Sequence, residues 1–141
     1  MDATVRPAAV SDAGAVAQLV TDLGYPSTAD QMIARLTGLL ADESYVALVA
    51  ESGAAVVGLV GGRTGLYFEK DGRYAHLLVL VVAPDARGTG VGTALLRAFE
   101  EWASARDAGG IVLTSSTHRH EAHGFYERRG YRKTGVRLVK P

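Results

Sequence analysis

The segment of this chain with the most chemistry in it is Ala83-Pro84-Asp85-Ala86-Arg87-Gly88-Thr89-Gly90-Val91-Gly92-Thr93. Glycine has no Cβ and tolerates positive φ, so glycines at 88, 90 and 92 let backbone N–H groups close around an anion. Apolar residues at helical spacing begin at Val91, which puts the same amides at a helix N-terminus, where partial positive charge favours phosphate. Arg87 stands beside them and can add a charge-assisted contact from the side. The expected ligand is a phosphate or diphosphate.

Three phosphate-binding patterns compete for this turn. A Walker loop needs Gly-Lys-Ser or Gly-Lys-Thr at its end, and the chain has no Gly-Lys pair. The dinucleotide fingerprint needs glycines at relative positions one, three and six, and counting from Gly88 the sixth position is Thr93. Arg-x-x-Gly-x-Gly, met by Arg87, Gly90 and Gly92, remains.

Composition narrows the chemistry further. With no cysteine among 141 residues, a disulfide framework, a thiolate metal site and a cysteine nucleophile are all excluded, so any thiol must come from a bound molecule. Fifteen acidic and fifteen basic side chains cancel, which argues against a nucleic-acid or anionic-membrane footprint and for a small-molecule partner. His118 and His120 stand two apart with no convergent carboxylate, so no required metal is expected. The first residues lack the basic stretch and apolar run of a signal peptide, and no apolar run reaches membrane-spanning length, so a cytoplasmic location is expected.

The turn needs a scaffold, and the flanking sequence supplies one. Val5-Arg6-Pro7 reads as a first strand. Ser11-Asp12 offers N-cap oxygens to a helix with Val16, Leu19, Val20 and Leu23 on one face, ending at Gly24. Ser27 or Thr28 starts a second helix with Ile33, Leu36 and Leu40 on one side, stopping near Asp42. Apolar runs 45–50 and 54–60, joined by Glu51-Ser52-Gly53, suit an antiparallel hairpin. Residues 64–73 lack periodicity and read as a loop suited to substrate contacts, with Tyr67, Glu69 and the adjacent Tyr74 as the candidates. His76 to Val82 reads as a central buried strand, on which alternation groups His76, Leu78, Leu80 and Val82. Val91, Leu95, Ala98, Phe99 and Trp102 define a long helix that Gly109-Gly110 follows, then come a short strand at 111–114, a helix at 121–128 and a last strand at 131–140. The order β-α-α-β-β-β-α-β-α-β describes one mixed α/β domain, 1–141, with a mostly antiparallel sheet flanked by helices.

The turn, its flanking elements, the opening Val5-Arg6-Pro7 with Ser11-Asp12, and the closing Phe125-Tyr126-Glu127-Arg128-Arg129-Gly130-Tyr131 together resemble the GNAT superfamily of acetyl-CoA-dependent N-acetyltransferases over almost the whole chain. The stretch 114–131 is especially similar to aminoalkylphosphonate and related small-amine or aminoglycoside acetyltransferases. The resemblance implies acetyl-CoA as cofactor, lying where the fourth and fifth strands splay apart. Its pantetheine arm would pair with the backbone of Leu80 and Val82, and its pyrophosphate would rest on the amides of Gly88, Thr89, Gly90, Val91, Gly92 and Thr93. Arg119, where many relatives have asparagine, and His123 would approach the cofactor or an anionic substrate. A homodimer is expected from the family alone.

Acyl transfer from a thioester to an amine needs a neutral amine and a proton for the departing thiolate. An alkylamine with a pKa near 10.4 presents its neutral form at pH 7 at a cost of roughly 4 to 5 kcal/mol. A positioned acid for the thiolate contributes roughly 10²- to 10⁴-fold. The resemblance implies Tyr126 as that acid. It also implies a base near the start of the fourth strand, where many relatives have glutamate and this chain has His76, with Glu69 and Asp71 as alternatives. The expected activity is acetylation of a small molecule's primary amine by direct attack on the thioester. A non-catalytic acyl-CoA-binding sensor using the same cleft is the alternative, and the arginines at 128–137 are not expected to bind DNA.

Overall fold

A computed structural model describes residues 2–114 and 120–141, with the His120 side chain outside the description. The chain runs β1 (Thr4–Pro7), α1 (Ala13–Leu23), α2 (Ala29–Leu40), β2 (Tyr45–Ser52), β3 (Ala55–Leu66), β4 (Arg73–Val82), α3 (Val91–Ala105), β5 (Ala108–Leu113) and α4 (His120–Glu127). The five strands form one sheet in sequence order, antiparallel from β1 to β4 and parallel between β4 and β5. This is the mixed, mostly antiparallel α/β class the sequence predicts.

Local chemistry sets the boundaries of the first elements. Gly24 takes φ 119°, a left-handed conformation that ends α1 at low cost. Thr28 caps α2 reciprocally: its hydroxyl accepts from the Gln31 N–H at 3.1 Å and its own N–H donates to Gln31 Oε1 at 3.0 Å. The Asp12 side chain does not cap α1. Its carboxylate takes both Arg6 Nη groups at 2.9 Å and the Ala9 N–H at 2.8 Å, while Arg6 also reaches Glu51 at 3.0 Å, tying β1 to the turn before α1 and to β2. The buried face of α2 is Met32 and Leu36; Ile33 and Leu40, expected on the inner side, are exposed.

Two apolar layers sandwich the sheet. On one face α1 and α2 cover Ala47, Val49, Leu59 and Val81. On the other, α3 lays Val91, Leu95, Leu96 and Phe99 over Val60, Ala75 and Leu77, with Leu80 and Val82 at its margin. The close crossing of α3 requires glycine on β3. A Cβ on Gly62 would fall 2.5 Å from Phe99 Cε1, and one on Gly58 would fall 2.7 Å from Leu95 Cδ1.

Two expectations are corrected. The reading of 64–73 as loop is too long, because β3 continues to Leu66 and β4 begins at Arg73. The strand expected over 131–140 does not form. Tyr131 docks, its N–H donating to the Tyr126 carbonyl at 3.1 Å and its hydroxyl to Glu100 Oε2 at 2.9 Å, but Val136 and Leu138 beyond it are 86% and 92% exposed. Alternating apolar residues specify a strand's face, yet a strand also needs an adjoining edge in register, and the described sheet ends at β5.

Candidate active site

The site begins where two strands part. β4 and β5 pair from Arg73 with Ala108 to Leu77 with Leu113, and beyond Leu77 β4 continues to Val82 with only β3 beside it among the described residues. The Ala83 N–H donates to the Val57 carbonyl at 2.8 Å, toward β3. Strand alternation therefore turns the backbone groups of Val82 and Leu80 to the opposite edge, the one β5 has left. Leu80 and the Val82 N–H thus face the edge that β5 has left, while the Val82 carbonyl on that edge accepts a side-chain bond from Arg87.

That edge leads directly into the glycine turn. A 3-10 turn at Pro84–Ala86 follows β4, Gly88 and Gly90 take φ 75° and 90°, and α3 starts after Gly90 with no side-chain cap. The first helical bond is from the Ala94 N–H to the Gly90 carbonyl at 3.0 Å. No N–H from Gly88 to Thr93 donates to an acceptor among the described residues. These amides sit at the positive end of a fifteen-residue helix, an arrangement of backbone donors suited to an anion. The Arg87 side chain folds back, its Nε donating to the Val82 carbonyl at 3.2 Å, and the Thr89 hydroxyl donates to the Ala86 carbonyl.

The closing helix α4 lies against this end of α3. A Cβ on Gly92 would stand 3.5 Å from Phe125 Cε1 and 3.6 Å from Val82 Cγ2, so turn, strand and α4 meet at one point. Tyr126 packs edge-on to Phe125 and Tyr131, at 5.3 and 5.6 Å between ring centroids, in the layer that holds Leu80 and Val82. Burial and the Glu100 carboxylate push the Tyr131 hydroxyl well above its ordinary pKa, which leaves it a fixed donor. His123 is half-buried on α4. Arg119 and His118 lie outside the described residues.

Sequence reasoning missed Arg129. Its guanidinium lies 3.8 Å from the Phe125 ring centroid, Nη1 donates to the Phe125 carbonyl at 2.8 Å, and Nη2 donates to the Thr93 hydroxyl in the first turn of α3. Its buried Nε has no hydrogen-bond partner among the described residues. The available signal was spacing: positions 125 and 129 are one helical turn apart and share a face.

His76 requires a correction. Gly62 pairs with Leu77 and Gly61 with Val79, so Leu78 is an extra residue that bulges from β4. The bulge reverses the alternation. Ala75 and Leu77 share the α3 layer with Leu80 and Val82, so His76 lies on the opposite face from Leu80 and Val82 rather than beside them. There His76 pairs in register with Arg63 on β3. Burial, and secondarily the Arg63 charge, hold its imidazole below its ordinary pKa and so in the neutral form. The parting strands consequently have Tyr126 on one side of the sheet and a neutral imidazole on the other.

The three candidate substrate residues converge on one open hollow. Tyr67, Glu69 and Tyr74, with Leu66, Phe68 and Val112, line about 350 Å³ at the β3–β4 hairpin. The Tyr67 and Tyr74 rings stand 5.4 Å apart, and Val112 is the β5 register partner of His76, which does not itself line the hollow. Asp71 is exposed. A larger hollow of about 470 Å³, between α1 and the start of β3, contains none of the candidate residues. Among the described residues no group of acidic or histidine side chains could hold a metal, and no helix is long and apolar enough to cross a membrane.

Comparison with known proteins agrees with this arrangement. The model of the Acetyltransferase (GNAT) family matches residues 15–131. The chain is 34% identical over 87 residues to a mouse protein described as "Probable N-acetyltransferase family 8 member 5", a match taking in 62% of this chain and 38% of that protein. It is also 34% identical over 87 residues to the aminoalkylphosphonate N-acetyltransferase of Salmonella typhimurium, taking in 60% of this chain and 55% of the relative. These alignments therefore span about half or less of the curated relatives' lengths. A GNAT family acetyltransferase from Staphylococcus aureus superposes with a TM-score of 0.86 at 25% identity, covering 100% of this chain and 99% of the other. With a family match across the turn, the parting strands and the closing helix, this chain belongs to the GNAT family of acetyltransferases.

Proposed function

We propose that this protein transfers an acetyl group from acetyl-CoA to the primary amine of a small molecule by direct attack on the thioester. The observation that carries the reading is the continuity of the amides at 88–93 with the β4 edge that β5 has left, where binding an arm at Val82 would release the Arg87 side chain from the Val82 carbonyl. The donors at 88–93 suit a diphosphate, and the Leu80–Val82 edge suits an extended amide-bearing arm. A molecule with both features in series matches coenzyme A. When bound, acetyl-CoA supplies an acyl group already activated as a thioester.

The chain's residues then divide the proton work. His76, kept neutral by burial, accepts a proton from the acceptor's ammonium group, directly or through water, so that the amine attacks in its free-base form. The Tyr126 hydroxyl, on the other side of the sheet, holds the proton that the leaving sulfur takes. The two groups are separated by β4 and do not neutralise one another before the acceptor is in place. Tyr67, Glu69 and Tyr74 contact the acceptor in the hollow that they line.

The test is release of free coenzyme A when purified protein meets acetyl-CoA and a panel of amines. Tyr126→Phe is expected to lower kcat by roughly 10²- to 10⁴-fold while leaving coenzyme A affinity unchanged. Undiminished turnover in that variant removes Tyr126 from the acid role. Tight cofactor binding with no turnover on any amine gives the site to the sensor reading instead.

A further inference from the structure

Arg63 is placed as an acceptor-binding residue would be, and the proposed transfer does not use it. It stands half-buried on β3, on the sheet face that carries His76. Its guanidinium carbon lies 6.0 Å from the Tyr45 ring centroid and 5.9 Å from that of Tyr74, and its Nη1 donates to the Tyr74 hydroxyl at 3.2 Å. Among the described residues it makes no ion pair with a carboxylate. Asp42 feels its field from an exposed position without reaching ion-pair distance. A guanidinium that meets only aromatic rings and one phenol keeps most of its five donors for something else.

We propose that Arg63 receives an anionic group of the acceptor, so that the acceptor is a short amine carrying a carboxylate or phosphonate. The inference rests on the acetyltransferase reading and adds to it the class of acceptor. Register dictates the spacing. Arg63 and His76 are direct cross-strand partners, which places their Cβ atoms roughly 5 Å apart on one face. An amine at the imidazole and an anion at the guanidinium then belong to one small acceptor on that face. Tyr74 links the halves physically, since it bonds Arg63 and also lines the hollow. The guanidinium's charge reaches the imidazole as well, being one of the causes that keep it neutral. Polycationic acceptors such as polyamines would bring like charge against Arg63, with Glu69 the one carboxylate among the described residues lining the hollow.

The experiment compares kcat/KM for 2-aminoethylphosphonate, β-alanine, propylamine and spermidine in the wild type, Arg63→Met and Arg63→Lys, with cofactor binding followed by calorimetry. The wild type should favour the two acidic amines over propylamine, and Arg63→Met should lower that ratio by about 10- to 100-fold through KM for the acidic amines. Arg63→Lys should recover part of it, and reading a ratio cancels any loss of folded protein. A wild type that prefers propylamine or spermidine, or an Arg63→Met ratio within twofold of wild type, overturns the assignment. No thiol release with any of the four amines despite cofactor binding sinks the acetyltransferase reading itself, and this inference falls with it.

Discussion

Replacing Gly92 with alanine should make the protein more stable and its hold on coenzyme A weaker. Gly92 is the second residue of α3 and its φ lies outside the left-handed region, so alanine fits the backbone. The added Cβ would meet Phe125 Cε1 at 3.5 Å and Val82 Cγ2 at 3.6 Å, which is ordinary contact without strain. Alanine in place of glycine within a helix stabilises by about 0.5 to 1 kcal/mol, a rise in Tm of about 2 to 3 °C for a chain of this size. The same methyl narrows the junction of α3, Val82 and Phe125, where the proposed cofactor would turn from the first-turn amides to the Leu80–Val82 edge. Losing one charge-assisted bond costs about 1.5 to 3 kcal/mol, or about 10- to 150-fold in Kd. Thermal unfolding gives the first number and titration calorimetry with coenzyme A the second. A raised Tm with Kd within twofold of wild type would refute the cradle, because the donors would then be serving no ligand over Gly92.

Other perturbations separate function from folding. Gly90→Val should unfold at lower temperature, since φ 90° there costs a side-chain-bearing residue about 1 to 2 kcal/mol; unchanged thermal stability would mean the turn takes another conformation. The acid limb of kcat/KM should fall below pH 6.5, the ordinary histidine value, and His76→Gln should abolish that limb; a limb that persists in the variant assigns the base elsewhere. Because the folded pKa of His76 is lowered, its contribution to stability is whole above pH 6.5 and is lost as pH falls through the folded value, which urea midpoints across pH can follow. Asp12→Asn should lower Tm at pH 7 and weaken its decline in acid, because the Arg6 bonds hold that carboxyl below its ordinary range; an unchanged pH profile would deny the ion pair a role. Arg129→Leu should weaken coenzyme A binding about 10-fold and reduce its salt sensitivity; unaltered affinity would leave Arg129 as packing for α4 against Thr93.

The anion cradle was legible in the residues, because its chemistry is local: glycines at 88, 90 and 92 and a helix beginning at Val91 need no distant partner to make free amides. Helix limits were legible for the same reason, as at Gly24 and in the Thr28–Gln31 capping box. Tyr126 is proposed from the motif around it, and Tyr67, Glu69 and Tyr74 from their place in or beside the stretch 64–73 that reads as a loop. What remained hidden was long-range. One unpaired residue, Leu78, moves His76 to the other face of the sheet, and a bulge is a relation between two strands that neither strand's pattern declares. Arg63 acquires its meaning from register with His76, thirteen residues further along the chain, and Arg129 from Thr93, thirty-six residues away. The apolar alternation of 131–140 looked like a strand, but pairing is decided by which edges the finished sheet leaves adjacent. Sequence thus carried the groups whose action depends on neighbours a few residues off; the sides of the sheet they face, and the partners they meet there, came from packing between distant segments.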